Sequence, residues 1–389
     1  MYKRLLQWPK NTSFLFGPRG TGKSTWIEQS GYDCHVVDLL DTTIALAYER
    51  RPGLFREQIL AQANREQWVV VDEIQKVPRL LDEIHFLIEK EKYKNFLLTG
   101  SSARKLRATA ANLLGGRARV VKFFPLLAAE VHFKFSAETH MKFGSLPLSL
   151  NESTNEEKEH FLRGYIETYI VDEIKRETQI RNVAGFQRFL EVAAICSGQP
   201  VNQTNIARDA QVARDSVRTY FEVLEDTLIG FWLPAYRRRV KVKEVATAKF
   251  YWFDSGVLNA AAGYMKQPSP SDWQGILLET WIVCEVRAYM ELFRIKGSLA
   301  YWRTTSGSEV DLVWWYGEKI ILIEIKSAKK IRKDHLKGIK SFRDSTSKPV
   351  RAILVNLGTE SLLVDDVEVL PALTFLRKLH AGEVIDCES

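Results

Sequence analysis

Up to about residue 132, short apolar runs alternate with longer stretches of mixed polarity, the runs falling at 12–16, 34–39, 68–71, 95–99 and 118–123. Runs of this length, apolar at consecutive positions, predict strands covered on both faces. The helical stretches between them predict parallel crossover connections, and hence an α/β sheet. Residues 135–155 change character: Gly144-Ser145-Leu146-Pro147 is followed by Ser149, Asn151, Ser153, Thr154 and Asn155, a composition that reads as a loop or linker. From 156 to about 199, Phe161, Tyr165, Ile166, Tyr169 and Ile170 recur at helical spacing on one face.

The next stretch, 202–228, has the pattern of a helix-turn-helix, with helices over 202–210 and 214–228 around the turn Gln211-Val212-Ala213. Val217, Tyr220, Phe221 and Leu224 form the apolar stripe of the second helix. An apolar segment at 229–233, the basic run Arg237 to Lys243 and a strand at 249–253 follow, which is the layout of a winged helix with the basic run in its wing. Residues 267–271 read as a linker, 273–293 as one long helix, and 299–303, 308–315 and 319–326 as strands. No internal repeat is present. The predicted organisation is a nucleotide-binding domain over 1–132, a linker over 133–155, a helical and winged-helix region over 156–266, and an α/β domain over 267–389.

Chemistry enters at Gly17-Pro18-Arg19-Gly20-Thr21-Gly22-Lys23-Ser24, which matches the phosphate-binding loop G-x-x-x-x-G-K-[ST] at every fixed position. Glycines let main-chain amides wrap around phosphate oxygens, Lys23 reaches the β- and γ-phosphates, and the Ser24 hydroxyl is a Mg²⁺ ligand. Thr25 continues into a helix whose N-terminus faces the anion. The run 68–71 ends in Asp72-Glu73, at the carboxyl end of a strand where open α/β sheets bind ligands. Asp72 is placed to hold Mg²⁺ through water, and Glu73 to polarise the water that attacks the γ-phosphate. The run 95–99 leads into Gly100-Ser101-Ser102, whose hydroxyls are either γ-phosphate sensors or ordinary loop serines. Arg117 lies just ahead of the fifth run and Arg119 at its start. One of them is either a finger for a neighbouring subunit's nucleotide or a surface arginine.

Charge and cysteine content narrow the setting. A net charge of +7 over 389 residues permits nucleic-acid contact without demanding it. Arg237, Arg239, Lys241 and Lys243 would supply phosphate contacts, while Glu222, Glu225 and Asp226 on the preceding helix oppose entry into a major groove. Cys34, Cys196, Cys284 and Cys387 lie far apart with no C-x-x-C pair, so reduced thiols and a cytoplasmic setting are expected. No apolar run approaches a membrane span. No acceptor-site signature for a small-molecule kinase and no N-K-x-D guanine signature is present.

If Gly317 and Glu318 form the turn of the last hairpin, Tyr316 pairs with Lys319, and counting outward puts Asp311 opposite Glu324. Alternation then places Glu324 and Lys326 on one face, with Ile323 and Ile325 on the other. Facing carboxylates repel. A divalent ion, Mg²⁺ or Mn²⁺, held by Asp311 and Glu324 would remove that penalty, and Lys326 would orient a water or steady charge at a scissile phosphate. An edge hairpin with exposed charges is the alternative.

The spacing Asp311 to Glu324-x-Lys326 after a helix bearing acids resembles the PD-(D/E)XK, restriction-endonuclease-like core. That resemblance implies a further acid from the helix, for which Glu279 is preferred over Glu285; six residues apart, the two cannot share a face. Glu309-Val310-Asp311 lacks the proline that often precedes the acid. Together, Gly17 to Thr25, Asp72-Glu73-Ile74-Gln75-Lys76-Val77-Pro78, Leu98-Thr99-Gly100-Ser101-Ser102, Leu114-Gly115-Gly116-Arg117, Glu279, Glu309-Val310-Asp311 and Glu324-Ile325-Lys326-Ser327 resemble a large prokaryotic family of AAA-type ATPases. In that family a P-loop domain precedes a domain of unknown function containing a winged helix and a restriction-endonuclease-like fold. Gly20 stands where the family often carries glutamine, at a position where the backbone does the binding. The resemblance implies ATP as the nucleotide, its hydrolysis with Mg²⁺, and a homo-oligomer with shared active sites. Two readings stay open at this point: a DNA-directed activity driven by ATP turnover, and a nucleotide-controlled interaction protein with a catalytically silent C-terminal fold.

Overall fold

A computed structural model describes residues 2–101, 117–170, 182–237 and 246–385. The chain divides into two compact units, one of Arg4–Phe124 with Asp226–Ile229, the other of Met1–Lys3, Pro125–Glu225 and Gly230–Ser389.

In the first unit the expected alternation appears as β1 (Ser13–Phe16), α1 (Lys23–Glu28), β2 (Cys34–Asp38), α2 (Thr42–Arg50), α3 (Gly53–Gln62), β3 (Trp68–Asp72), α4 (Leu80–Glu89), β4 (Phe96–Gly100) and β5 (Arg119–Lys122). All five strands are parallel, in the order β2-β3-β4-β1-β5. Alternate residues of single strands go to different cores. Phe14, Phe16, Val69, Val71, Phe96 and Leu98 pack in one cluster, while Leu15, Trp68, Val70 and Leu97 pack in another with Ile27 and Phe123. Both faces are therefore covered, which is why the inner strands read as unbroken apolar runs. Each such side chain contributes about 1.5–3 kcal/mol on burial. The outer strand β5 leaves Val120 63% exposed.

The second unit corrects one expectation. Residues 135–155, read above as a loop or linker, hold two helices, α5 (Ala137–Phe143) and α6 (Pro147–Asn151). The small and breaking residues that suggested a loop are end signals instead. Ser136 caps α5 through Thr139 N, Gly144 at φ 67° closes it, and Pro147 sits in the first turn of α6. His140, Met141, Phe143, Leu146 and Ser149 are buried, which no free linker would show.

A capping box of Thr154 and Glu157 then starts α7 (Asn155–Gly164), which runs into a π-helical segment, Tyr165–Ile170. Next come α8 (Val183–Ile195), α9 (Gln203–Asp209) and α10 (Arg214–Asp226), with Asn202 capping α9 and Gln211 left-handed in the turn between α9 and α10. Strands β6 (Gly230–Leu233) and β7 (Lys249–Trp252) pair antiparallel. Of the basic run, Arg239, Lys241 and Lys243 lie outside the described residues; Arg237 donates to Ala246 O at 3.3 Å. The helix α11 (Ser255–Ala261) precedes the long α12 (Trp273–Phe293), whose bounds are those expected.

The remaining elements are β8 (Ser298–Arg303), β9 (Glu309–Tyr316), β10 (Lys319–Lys326), α13 (Lys337–Asp344), β11 (Val350–Asn356), β12 (Leu362–Val364), β13 (Val367–Pro371) and α14 (Ala372–His380). They build a mixed sheet in the order β12-β13-β11-β10-β9-β8. The β9–β10 register runs from Tyr316 opposite Lys319 to Leu312 opposite Ile323, so Asp311 and Glu324 are next in line. The helix α13 packs on β9 because Gly338 carries no side chain there; a Cβ on Gly338 would run into the Glu309 carbonyl. Gly338→Ala should accordingly lower stability by about 1–3 kcal/mol, the usual cost of overpacking. Urea unfolding of variant and wild type would measure it, and an unchanged midpoint would show that α13 can retreat freely.

Candidate functional site

The loop from Gly17 to Gly22 joins the carboxyl end of β1 to the first turn of α1. Gly20 and Gly22 sit at φ 78° and 90°, a region that strains any L side chain. Gly17 is glycine for another reason: a Cβ there would collide with the Phe123 carbonyl on the strand end beside it. Lys23 is buried, and its Nζ donates to Gly17 O at 2.6 Å and Pro18 O at 3.1 Å. Thr21 Oγ1 donates to Pro18 O at 2.8 Å. Arg19, Ser24 and Thr25 are exposed. The loop has an anchor that the sequence reading missed. Arg4 donates to Thr21 O at 2.9 Å and to Phe124 O at 2.6 Å, with its guanidinium 4.3 Å from the Phe123 ring centre.

Because β4 lies between β1 and β3, residues from three motifs meet. Ser24 Oγ donates to Asp72 Oδ2 at 3.2 Å. Thr99 Oγ1 donates to Asp72 Oδ1 and accepts from Glu73 N at 3.3 Å. Glu73 is held at φ 58°, a left-handed conformation uncommon for a non-glycine residue. Its carboxylate accepts from Gln75 Nε2 and, at 3.4 Å, from Ser101 Oγ, while Gln75 Nε2 also donates to Ser101 Oγ at 3.1 Å. Gln75 Oε1 is buried with no partner among the described residues. It lies against Gly100, where a Cβ would meet it. Thr99 and Gln75 were both within the motifs quoted above but had no role; a polar side chain two residues beyond a strand-end acid was the available signal.

These residues fit a magnesium nucleotide. Ser24 and Asp72 already share a hydrogen bond where both would face the ion, and the Lys23 ammonium covers carbonyls at the mouth of an amide-lined loop. Arg117 makes an ion pair with Glu89 at 2.5 Å, their side chains 46% and 40% exposed. Such a pair is worth at most about 1 kcal/mol, so it would yield readily to a better partner. The glycines at 115–116 lie outside the described residues.

A second constellation gathers in the other unit. Lys326 Nζ lies 2.5 Å from Glu324 Oε1 and 3.5 Å from Asp311 Oδ2. Asp311 Oδ2 also accepts from Ile325 N at 2.8 Å. Glu279 on α12 accepts from Tyr251 Oη and pairs with Lys249 Nζ at 3.0 Å. Lys249 also pairs with Glu309 at 2.5 Å. The other helix acid, Glu285, is engaged elsewhere: it accepts from Ala128 N at 2.7 Å and meets His380 Nε2 at 3.0 Å.

Burial opposes charge on Lys249, but Glu279, Tyr251, Glu309 and Asp311 outweigh it and hold the ammonium well above its usual range. Burial, then the Asp311 charge, push the Glu324 carboxyl well up against the pull of Lys326. Glu324 Oε2 is buried with no partner among the described residues. The structure does not show the metal site expected at Asp311 and Glu324. Among the described residues no three carboxylate, imidazole or thiolate groups come together as a metal needs, and the acids are countered by lysines.

Comparison with known proteins divides the chain into three parts. Residues 9–132 match an AAA domain, residues 134–268 a domain of unknown function (DUF8612), and residues 274–375 another (DUF4143). An uncharacterized protein of Mycobacterium tuberculosis is 24% identical over 309 residues, 77% of this chain; the chain spans 66% of that relative's length. An uncharacterized protein of Haemophilus influenzae is 25% identical over 214 residues, covering 49% of this chain and 53% of the relative. Among solved structures, a Walker-type ATPase of Pyrococcus abyssi is similar over 64% of this chain and 90% of its own, with a TM-score of 0.42 and 15% identity. At that score the likeness carries no functional weight. Among the described residues no helix is long and apolar enough to cross a membrane. The chain is thus similar to an AAA domain over the region that holds the phosphate loop and the strand-end acids, and to two domains of unknown function over the regions that follow.

Proposed function

We propose that this chain is a magnesium-dependent ATP hydrolase that works as an oligomer and uses its nucleotide state to control an interaction. The observation that carries the reading is the meeting of Lys23, Ser24, Asp72, Glu73 and Ser101 at the carboxyl ends of three adjacent parallel strands. Lys23 exchanges the Gly17 and Pro18 carbonyls for phosphate oxygens, and the amides from Gly17 to Ser24 hold the triphosphate. Ser24 and Asp72 hold Mg²⁺, which when bound neutralises charge on the β- and γ-phosphates. Glu73, oriented by Gln75 and Ser101, aligns the attacking water and takes up its proton.

Arg117 serves a neighbouring subunit's nucleotide in this reading, after leaving Glu89. Arg117→Ala should bind ATP and lose turnover, and mixing it with Lys23→Ala should restore part of the activity in hetero-oligomers. Phosphate release measured across mixing ratios tests this. No rescue in a verified mixed assembly would place the active site within one subunit.

The C-terminal region resembles a restriction-endonuclease-like core in its order of elements: a helix bearing an acid, then an antiparallel hairpin, then parallel strands. Its lysine-countered acids favour an interaction role over strand cutting. The exposed face of α10 agrees, since Asp215 and Glu222 interrupt it and Arg218 leans to Glu222 at 3.7 Å, a poor surface for a phosphate backbone. Plasmid and single-stranded DNA incubated with Mg²⁺ or Mn²⁺ should stay intact. Metal-dependent cutting that disappears in Glu324→Ala and in Lys326→Ala would favour the DNA-directed reading instead.

A further inference from the structure

The acid cluster of the second unit draws on β7, α12, β9 and β10, and its least expected member is Lys249. At 1% exposure, this side chain belongs to a residue type almost never buried unless paired. It comes from the region that matches one domain of unknown function (134–268), whereas Glu279, Glu309, Asp311 and Glu324 all lie in the region that matches the next (274–375). Its Nζ has Glu309 at 2.5 Å, Glu279 at 3.0 Å and the Tyr301 ring centre at 5.0 Å. Tyr251, on the same strand, donates to the Glu279 oxygen that Lys249 also contacts. On the other side Lys326 spans Glu324 and Asp311, and Ile325 N donates to the same Asp311 oxygen, Oδ2, that Lys326 approaches.

We infer that Lys249 is a built-in counter-ion for Glu279 and Glu309, supplying from inside the fold the positive charge that a divalent cation supplies in metal-dependent carboxylate clusters, so that the C-terminal fold forms without metal. Four carboxylates gathered around two ammonium groups would repel one another without them. A metal is one remedy and buried lysines are another. Lys249 and Lys326 supply the second remedy from opposite sides, Lys249 against Glu309 and Glu279, Lys326 against Glu324 Oε1 and Asp311 Oδ2. An ammonium cannot activate a hydroxide as a divalent ion does, and this cluster serves to fasten β7 to α12 and β9. Glu324 Oε2 is the one buried oxygen of the group without a partner among the described residues.

The test uses the full chain without nucleotide, so its outcome is independent of the ATPase reading. Manganese binding is followed by electron paramagnetic resonance and stability by thermal unfolding. Wild type should take up no stoichiometric Mn²⁺, and neither Mn²⁺ nor EDTA should move its Tm. Lys249→Met should melt several degrees lower, bind one Mn²⁺ per chain and regain stability as the ion is added. Lys249→Met with Glu309→Gln, which removes one charge of each sign, should fold and lose that uptake. Uptake of one Mn²⁺ per chain by wild type, abolished in Glu324→Gln, would overturn the inference whether or not the lysine variants fold. A folded Lys249→Met that ignores Mn²⁺ would overturn it equally.

Discussion

Glu73→Gln should bind ATP as the wild type does and turn it over on the order of 10²- to 10⁴-fold more slowly, the loss typical of removing a positioned general base. The amide keeps the shape of the side chain, and the left-handed backbone at Glu73, braced by Thr99 through Glu73 N, is independent of the carboxylate. Charge is what disappears. Gln75 and Ser101 both donate to that carboxylate, so they orient an acceptor that the variant no longer offers in ionised form. Lys23→Ala should fail earlier, at binding, because its buried ammonium already lies against the Gly17 and Pro18 carbonyls of the loop. Nucleotide titration beside steady-state phosphate release separates the two effects. Normal hydrolysis by Glu73→Gln would remove that residue from the chemistry.

Acid should destabilise the second unit through His140. The imidazole is 3% exposed, packed at a tilt against Phe135 and Trp281 with ring centres 4.6 and 4.5 Å away, and its Nδ1 has no partner among the described residues. Burial pushes its pKa down to about 3. In the unfolded chain the group titrates near its ordinary value of about 6.5, so the unfolded state binds the proton more readily. The contribution is therefore present above about pH 6.5 and drains away as pH falls toward 3. By pH 4 the loss should reach roughly 3 kcal/mol, at about 1.4 kcal/mol per pH unit. His140→Phe keeps an aromatic ring between its neighbours and removes the proton site. The gap between the two proteins' urea-unfolding free energies should widen by that amount from pH 7 to pH 4. Parallel curves would mean that the imidazole meets water or a partner when charged.

Much of the local structure was readable because it rests on local rules. A strand covered on both faces must be apolar at successive positions, and the inner strands of the first unit were found within a residue or two for that reason. The hairpin register at Tyr316 and Lys319 followed from the turn at Gly317 and Glu318. The stretch at 135–155 misled because serine, glycine and proline serve equally as loop residues and as helix ends. Only the burial of Met141, Phe143 and Leu146 against other elements separates the two.

From its sequence alone this protein declares a phosphate loop, a strand-end acid pair and a register that sets Asp311 beside Glu324, since each depends on residues near one another in the chain. Strand order is different. That β4 lies between β1 and β3, carrying Thr99 and Ser101 to Asp72 and Glu73, is decided by how helices cover the sheet. Arg4 beneath the loop and Lys249 among the acids were equally out of reach. Each is an ordinary charged residue at its own position, and becomes a partner only when folding brings distant oxygens within 3 Å and removes the water between them.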